Sequence, residues 1–292
     1  MNFNPKLWWA YISSYFKLVR FENLFVIAMT QFFVRIFLVG EKENWLAYVS
    51  DIHLWLLTLS SLLITSAGYI INDYYDVKID TINKPRRVVV GRVLRRRWVL
   101  FINVLLNFLG IGLGFWLSFA VGFINFTTAF LLWLYSNQLK RLPFVGNFTV
   151  AGLTAVALLV IIVYIYETPN FLLVFTFAGF AFLTSLIREI IKDMIDVKGD
   201  ATFGCQTLPV VWGIRRTKFV VYILIGMLVL LLFGFGLFLD INLIAYASVF
   251  VLLPLVWFVF KLLRADTRND FSYLNQVCKA IMLGGVMAML LL

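Results

Sequence analysis

The segment from Leu54 to Tyr75, LWLLTLSSLLITSAGYIINDYY, carries no charged side chain until Asp73, close to its C-terminal end. A helix of about 20 apolar residues is long enough to cross a hydrocarbon core about 30 Å thick. Similar runs recur along the 292-residue chain, of which 62% is hydrophobic, whereas a soluble domain is about 45–50% apolar. The sequence therefore predicts an all-α integral membrane protein.

We expect nine transmembrane helices in one bundle, forming a single domain over residues 1–292 with an interfacial N-terminal arm at residues 1–20. The longest polar connections are predicted at 77–97, 192–217 and 262–275. The predicted spans are 21–39, 54–75, 98–118, 121–138, 144–165, 170–191, 218–239, 241–261 and 276–292.

The net charge of +10 follows a one-sided distribution of basic residues. Nearly all of the 25 lysines and arginines lie in the N-terminal arm and in connections on one side of the predicted bundle. Lysine and arginine are enriched in cytoplasmic loops of membrane proteins. We therefore expect a cytoplasmic N-terminus and cytoplasmic polar loops, an outer C-terminus, contact with membrane lipid, and no nucleic-acid partner.

Two acidic segments lie at the cytoplasmic ends of the second and sixth predicted spans. The sequences NDYYDVKID, Asn72–Asp80, and KDMIDVKGD, Lys192–Asp200, share the pattern D-x-x-D-V-K-x-D. In a continuous helix, offsets of three and seven residues place the aspartates of each segment on one face. Each segment is therefore expected to present a cluster of oxygens; with a nearby glutamate, the acidic residues are Asp73, Asp76, Asp80, Glu189, Asp193, Asp196 and Asp200.

Crowded carboxylates at a membrane boundary stay ionised when cations lie among them. Mg²⁺ prefers oxygen ligands and is usually held by one or two carboxylates and the phosphates of a substrate. His53, the only histidine, is predicted on the outer side, which argues against a zinc site. The active site is therefore expected on the cytoplasmic side, with Mg²⁺ as its cofactor.

The basic residues near the acids suit the diphosphate of a polyprenyl diphosphate, whose tail would lie among the helices. These residues are Arg20, Lys84, Arg86, Arg87, Lys140, Arg141, Arg188 and Lys192. We interpret Arg92 and Arg95 to Arg97 as topology determinants. Tyr74, Tyr75 and Tyr135 lie at the level of the acids, where ring faces would stabilise an allylic cation.

These motifs resemble the UbiA superfamily of intramembrane prenyltransferases, which has nine transmembrane helices. The run Asn72–Asp80 matches the first family motif, N-D-x-x-D-x-x-x-D, and Asp193–Asp200 matches the second, D-x-x-D-x-x-x-D. Tyr135–Arg141, YSNQLKR, and Gly204–Pro209, GCQTLP, are similar to further family segments. The run DTINKPRRVVVG, Asp80–Gly91, is most similar to the branch containing digeranylgeranylglyceryl phosphate synthases and chlorophyll synthases, although Val88 to Val90 replace its proline-containing stretch.

The resemblance implies Mg²⁺-dependent transfer of a polyprenyl group from a prenyl diphosphate to a membrane-associated acceptor. By resemblance, the metal ligands are Asn72, Asp76, Asp80, Asp196 and Asp200. The catalytic set is Asn72, Asp76, Asp196 and Asp200, with Glu189 as an acceptor-binding residue or base. The substrate-binding set is Arg20, Lys140, Arg141, Asp73, Asp193, Tyr135 and Arg87.

The acceptor remains open at the level of sequence. We favour geranylgeranyl diphosphate as donor and geranylgeranylglyceryl phosphate as acceptor, because the extra cations in the loop suit a phosphorylated lipid. An aromatic quinone precursor is the main alternative acceptor. A terpene cyclase of the same superfamily would use the same metal site, and a cation transporter would also place acids within a membrane.

Overall fold

A computed structural model describes residues 13–85, 88–165, 170–236, 246 and 248–292, which are predominantly helical. Within these ranges, eight helical segments are long and apolar enough to cross a membrane. They are Phe21–Val39, Ile52–Tyr75, Arg96–Leu117, Phe119–Asn137, Val145–Tyr164, Phe171–Thr202, Leu208–Gly234 and Arg268–Leu291. The prediction of an all-α, multi-pass integral membrane protein is confirmed.

We number the α-helices of the described ranges in chain order. They are α1 (Phe21–Phe33), α2 (Trp45–Ser50), α3 (Ile52–Tyr75), α4 (Val77–Asn83), α5 (Arg96–Leu117), α6 (Phe119–Asn137), α7 (Val145–Tyr164), α8 (Phe171–Thr202), α9 (Leu208–Gly236), α10 (Leu253–Arg264) and α11 (Arg268–Met287). A π-helix, Val34–Val39, continues α1, and a 3₁₀ turn, Leu139–Arg141, follows α6. The predicted span 241–261 lies partly outside the described ranges.

Two predicted polar connections are largely helical. The α8 helix runs on to Thr202, because Met194 and Gly199 in its last turns are buried. The α9 helix already begins at Leu208 and is interrupted at Gly213, whose φ of 77° is readily accessible only to glycine. The last helix begins at Arg268, where Thr267 and Asp270 form a capping box. The predicted limits of the connections 192–217 and 262–275 are therefore wrong.

The chain divides into two compact units, the first being Met1–Met29 with Asp51–Leu139. In this unit α3, α5 and α6 pack against one another. Asn103 Nδ2 donates to the Ala67 carbonyl at 2.8 Å, and Asn125 Nδ2 donates to the Gly110 carbonyl at 3.0 Å. Such side-chain bonds join helices where no water competes.

A small core in the first unit includes residues outside the spans. Leu18 and Val19 pack with Ile70 and Val99, and Val90 of the loop before α5 joins them. Val90 is 2% exposed. Val90, the last residue of the valine stretch at 88–90, therefore contributes packing near the end of α3.

The second unit comprises Thr30–Ser50 and Lys140–Leu292. Here α8 packs against α7, α9 and α11. A side chain at Gly285 would collide with the ring of Phe180, so glycine permits the close crossing of α11 and α8. Gln31, which is fully buried, donates to the Ala157 carbonyl at 2.8 Å. The long α8, which carries the second acidic motif, is thus held on several sides.

Candidate active site

The first acidic motif is divided between two helices. Asp73 lies in α3, Asp80 lies in α4, and Asp76 between them has φ −85° and ψ 0°. The prediction that all three share one face of a continuous helix is therefore wrong for this motif. The sequence Asp-Tyr-Tyr-Asp contains only weak helix formers, and aspartate in particular competes with helical backbone bonds. The backbone nevertheless keeps two bonds across the break, from Asp76 N–H to the Asn72 carbonyl at 2.9 Å and from Asp80 N–H to the Asp76 carbonyl at 2.8 Å.

Arg20 contacts the first motif directly. Its Nη2 atom lies 3.0 Å from Asp73 Oδ1, and its guanidinium carbon lies 4.6 Å from the centre of the Tyr69 ring. Arg20 has φ 53°, a left-handed conformation that is uncommon for a residue with a side chain. The Asn23 N–H and the Leu24 N–H both donate to the Arg20 carbonyl, so α1 begins beside this residue. The fold therefore fixes Arg20 against the end of α3.

Arg96 is a motif contact that sequence reasoning missed. Its guanidinium carbon lies 4.6 Å from the centre of the Tyr74 ring, and its Nη2 donates to the Tyr74 carbonyl at 3.3 Å. The rings of Tyr74 and Tyr75 pack edge to face, with their centres 5.5 Å apart. One face of Tyr74 is thus covered by a cation. We interpreted Arg96 as a topology determinant because its place in a basic run carries no sign of this contact.

The second acidic motif lies on one continuous helix, as its spacing predicts. Asp193, Asp196 and Asp200 are all within α8. Asn147 of α7 donates from Nδ2 to Asp193 Oδ2 at 2.7 Å and is itself 7% exposed. Sequence reasoning missed Asn147, although an amide inside an apolar predicted span is a signal of a polar role.

Asp200 and Glu189 are the buried acids of this helix, 8% and 5% exposed. Thr207 Oγ1 donates to Asp200 Oδ2 at 3.3 Å. Glu189 forms ion pairs with two neighbours, through Oε2 to Lys192 Nζ at 2.6 Å and through Oε1 to Arg188 Nη1 at 3.3 Å. These pairs place the Glu189 carboxyl group between two basic side chains.

The remaining predicted site residues lie elsewhere along the chain. Lys140 and the exposed Arg141 form the 3₁₀ turn after α6, and Tyr135 is a half-buried residue of α6. The Arg141 carbonyl accepts a hydrogen bond from Gln206 N–H at 2.8 Å. Arg87 and its neighbour Arg86 lie outside the described residues.

The donor atoms of both motifs suit a hard cation. Asn72 Oδ1 is buried and accepts no hydrogen bond from any residue that the structure describes, and Asp196 Oδ1 is also shielded from solvent. No group of three or more acidic, histidine or cysteine residues in the described ranges forms a ready metal cage. Mg²⁺ is usually bound by one or two carboxylates together with water and substrate oxygens. These residues therefore fit an open Mg²⁺ site better than a metal site whose ligands all come from the protein.

Known structures share this fold. A structure of digeranylgeranylglyceryl phosphate synthase in membranes superposes with a TM-score of 0.70 at 20% identity, covering 96% of this chain and 99% of that one. A UbiA homologue from Archaeoglobus fulgidus, bound to DMAPP and Mg²⁺, superposes with a TM-score of 0.66 at 14% identity, covering 96% and 100%.

Sequence comparison reaches the same family. The digeranylgeranylglyceryl phosphate synthase of Saccharolobus solfataricus is 30% identical over 280 residues, which is 96% of both chains. The protein of that name from Sulfurisphaera tokodaii is 30% identical over 258 residues, 88% of this chain and 90% of the relative. A model of the UbiA prenyltransferase family matches residues 33–277, which include both acidic motifs. The predicted family is therefore confirmed, and the chain belongs to the UbiA prenyltransferases, membrane enzymes that transfer prenyl groups.

Proposed function

We propose that the enzyme transfers a geranylgeranyl group from geranylgeranyl diphosphate to the free hydroxyl of geranylgeranylglyceryl phosphate, with Mg²⁺ as cofactor. The observation that carries this proposal is the full-length similarity to relatives named digeranylgeranylglyceryl phosphate synthase. The A. fulgidus homologue bound to DMAPP and Mg²⁺ supports the same donor chemistry and cofactor. The loop cations suit an acceptor that carries a phosphate.

In this proposal Asn72, Asp76 and Asp80 bind one Mg²⁺, and Asp196 and Asp200 bind a second. Bound Mg²⁺ would neutralise charge on the departing diphosphate. Asp73 orients Arg20 through their ion pair, and the hydrogen bond from Asn147 fixes the orientation of Asp193. Both acids are thus supporting residues whose partners fix their orientation.

The basic residues bind the anionic head of the donor. Lys140 and Arg141 donate to diphosphate oxygens, as do Arg20 and Arg87, and charged donors of this kind are strongest in a site that excludes water. Tyr135 contacts the first isoprene unit of the tail. The allylic C–O bond then breaks, with its electron pair leaving on the diphosphate.

The acceptor completes the reaction. Its hydroxyl oxygen forms the new ether bond to the allylic carbon and loses its proton, so that the products are the ether lipid, diphosphate and a proton. Glu189 already pairs with Lys192 and Arg188. Because both carboxyl oxygens of Glu189 are engaged by these two cations, we assign Glu189 to acceptor binding, where it orients the cations towards a phosphate.

The proposal also includes the membrane arrangement. The enzyme would have nine spans, with the region 241–261 as the eighth, and would form one domain over residues 1–292. Its N-terminus and both acidic motifs would lie on the cytoplasmic side, with residues 1–20 as an interfacial arm. The one-sided basic residues support this orientation. Cysteine-accessibility labelling from each side of sealed vesicles tests it.

Competition between acceptors tests the reaction. Purified enzyme in liposomes receives geranylgeranyl diphosphate, Mg²⁺, and equal amounts of geranylgeranylglyceryl phosphate and 4-hydroxybenzoate, and products are identified by mass spectrometry. We expect digeranylgeranylglyceryl phosphate to dominate. A prenylated aromatic product would refute the acceptor, and a cyclic hydrocarbon formed without any acceptor would refute the transfer itself.

A further inference from the structure

Three consecutive residues between α8 and α9 each bond to a residue of the proposed site. Cys205 N–H donates to the Asp200 carbonyl at 2.9 Å, and Gln206 N–H donates to the Arg141 carbonyl at 2.8 Å. Thr207 Oγ1 donates to the Asp200 carboxylate at 3.3 Å. This tripeptide, which we call the 205–207 strut, therefore touches both a proposed metal ligand and a proposed diphosphate-binding residue.

The local fold makes the strut rigid. Gly204, with φ 70°, turns the chain at the end of α8, and the residues Cys205 and Thr207 are 3% and 4% exposed. The Thr207 carbonyl accepts from the N–H groups of Val210 and Val211, both at 3.0 Å, so Thr207 is the residue from which α9 starts. The first hydrogen bonds of α9 therefore hold the Thr207 backbone, and with it the position of the Thr207 hydroxyl.

Thr207 has an unusual role for a residue at a helix start. A threonine at this position ordinarily accepts a hydrogen bond from the first turn of the helix. Here its hydroxyl donates to the carboxyl group of Asp200, a buried residue that is 8% exposed. A buried carboxylate keeps its charge and orientation only where donors supply what water would otherwise provide.

We infer that Thr207 is a positioning residue for divalent-cation binding. Through the 205–207 strut it fixes the orientation of the Asp200 carboxylate relative to the turn that contains Arg141. The inference rests on the proposed function, in which Asp200 is a metal ligand. Residues that orient metal ligands typically change metal affinity by about 10- to 100-fold when they are replaced. Thr207 should therefore affect affinity for the cation itself.

Direct binding of Mn²⁺, a paramagnetic substitute for Mg²⁺, tests this without turnover. Full-length enzyme in detergent is titrated with Mn²⁺, and free Mn²⁺ is measured by electron paramagnetic resonance. Thr207→Val keeps the shape but removes the donor, whereas Thr207→Ser keeps the hydroxyl. Thr202→Val is the matched control, because the Thr202 hydroxyl bonds only to the Lys198 carbonyl of its own helix among the contacts described, at 2.7 Å.

We expect Thr207→Val to raise the Mn²⁺ dissociation constant about 10-fold or more, with Thr207→Ser and Thr202→Val within about twofold of wild type. If Thr207→Val does not fold, Thr207→Ala takes its place. Wild-type binding that is lost in Asp196→Asn but unchanged in Thr207→Val would overturn the inference and leave the proposed function standing. Absence of Mn²⁺ binding by the wild type would overturn the inference, which requires the protein's own ligands to hold the cation, whereas the proposed function is tested separately by the competition between acceptors.

Discussion

Asn147 Nδ2 lies 2.7 Å from Asp193 Oδ2 and connects α7 to the helix that carries the second acidic motif. Both residues lie in segments long and apolar enough to span a membrane. A buried polar group that loses its hydrogen-bond partner costs about 1–3 kcal/mol. The pair therefore holds Asp193 in a defined orientation within the bundle.

We expect Asn147→Leu to lower kcat/KM for the prenyl diphosphate about 10- to 100-fold, which corresponds to the cost of leaving a buried polar group without its partner. Thr149→Val is the matched control on the same helix, because the Thr149 hydroxyl donates to the Val145 carbonyl of its own helix. Steady-state kinetics in liposomes measure the effect. Equal kinetics for the two variants would show that this bond has no role in turnover.

The Arg20–Asp73 ion pair can be measured by a double-mutant cycle. The two side chains are 36% and 22% exposed, so solvent weakens the pair and we expect a coupling energy of about 0.5–1 kcal/mol in kcat/KM. The cycle compares wild type, Arg20→Met, Asp73→Asn and the double variant. Lys17→Met with Asp73→Asn forms the control cycle, because Lys17 is exposed. Additive effects of Arg20→Met and Asp73→Asn would contradict a functional pair.

Two glycines of α5 should differ in their tolerance of alanine. A Cβ atom at Gly114 would lie 2.6 Å from Asn125 Nδ2 and 3.0 Å from Gly122 Cα, whereas one at Gly112 would meet nothing within 4 Å. Gly114→Ala should therefore destabilise the protein by about 1–3 kcal/mol. Gly112→Ala should be neutral or stabilising by up to about 1 kcal/mol. Thermal unfolding in detergent measures both, and the reverse order would show that α5 and α6 are not packed as closely as the structure has them.

Hydrophobic length was sufficient to locate most helices. The predicted span 54–75 and the observed α3 differ by only two residues, at the N-terminal end. Hydrophobic length did not predict the helix ends where polar residues remain helical, as in the last turns of α8. There the packing of Met194 and Gly199 favours the helix in spite of the polar residues around them. The break at Asp76 was missed because the spacing of the aspartates does not indicate where the helix is interrupted.

Candidate site residues could be selected from the sequence where the same spacing of acidic residues occurs twice. The carboxylates stood out because they occur twice with the same spacing. Their partners Asn147 and Arg96 did not, because each is brought to its motif from another helix, and the run that contains Thr207 stood out only through the family resemblance. Tertiary contacts of this kind leave little trace in a single sequence.

The most direct test of the account measures Mg²⁺-dependent formation of the ether lipid by wild type, Asp76→Asn and Asp196→Asn in liposomes. Each variant is first shown to be folded and inserted. We predict product from the wild type, none after chelation, recovery when Mg²⁺ is restored, and a loss of at least about 100-fold in each variant. Substantial product from both variants, or from the wild type after chelation, would contradict the claim that the two acidic motifs act through Mg²⁺.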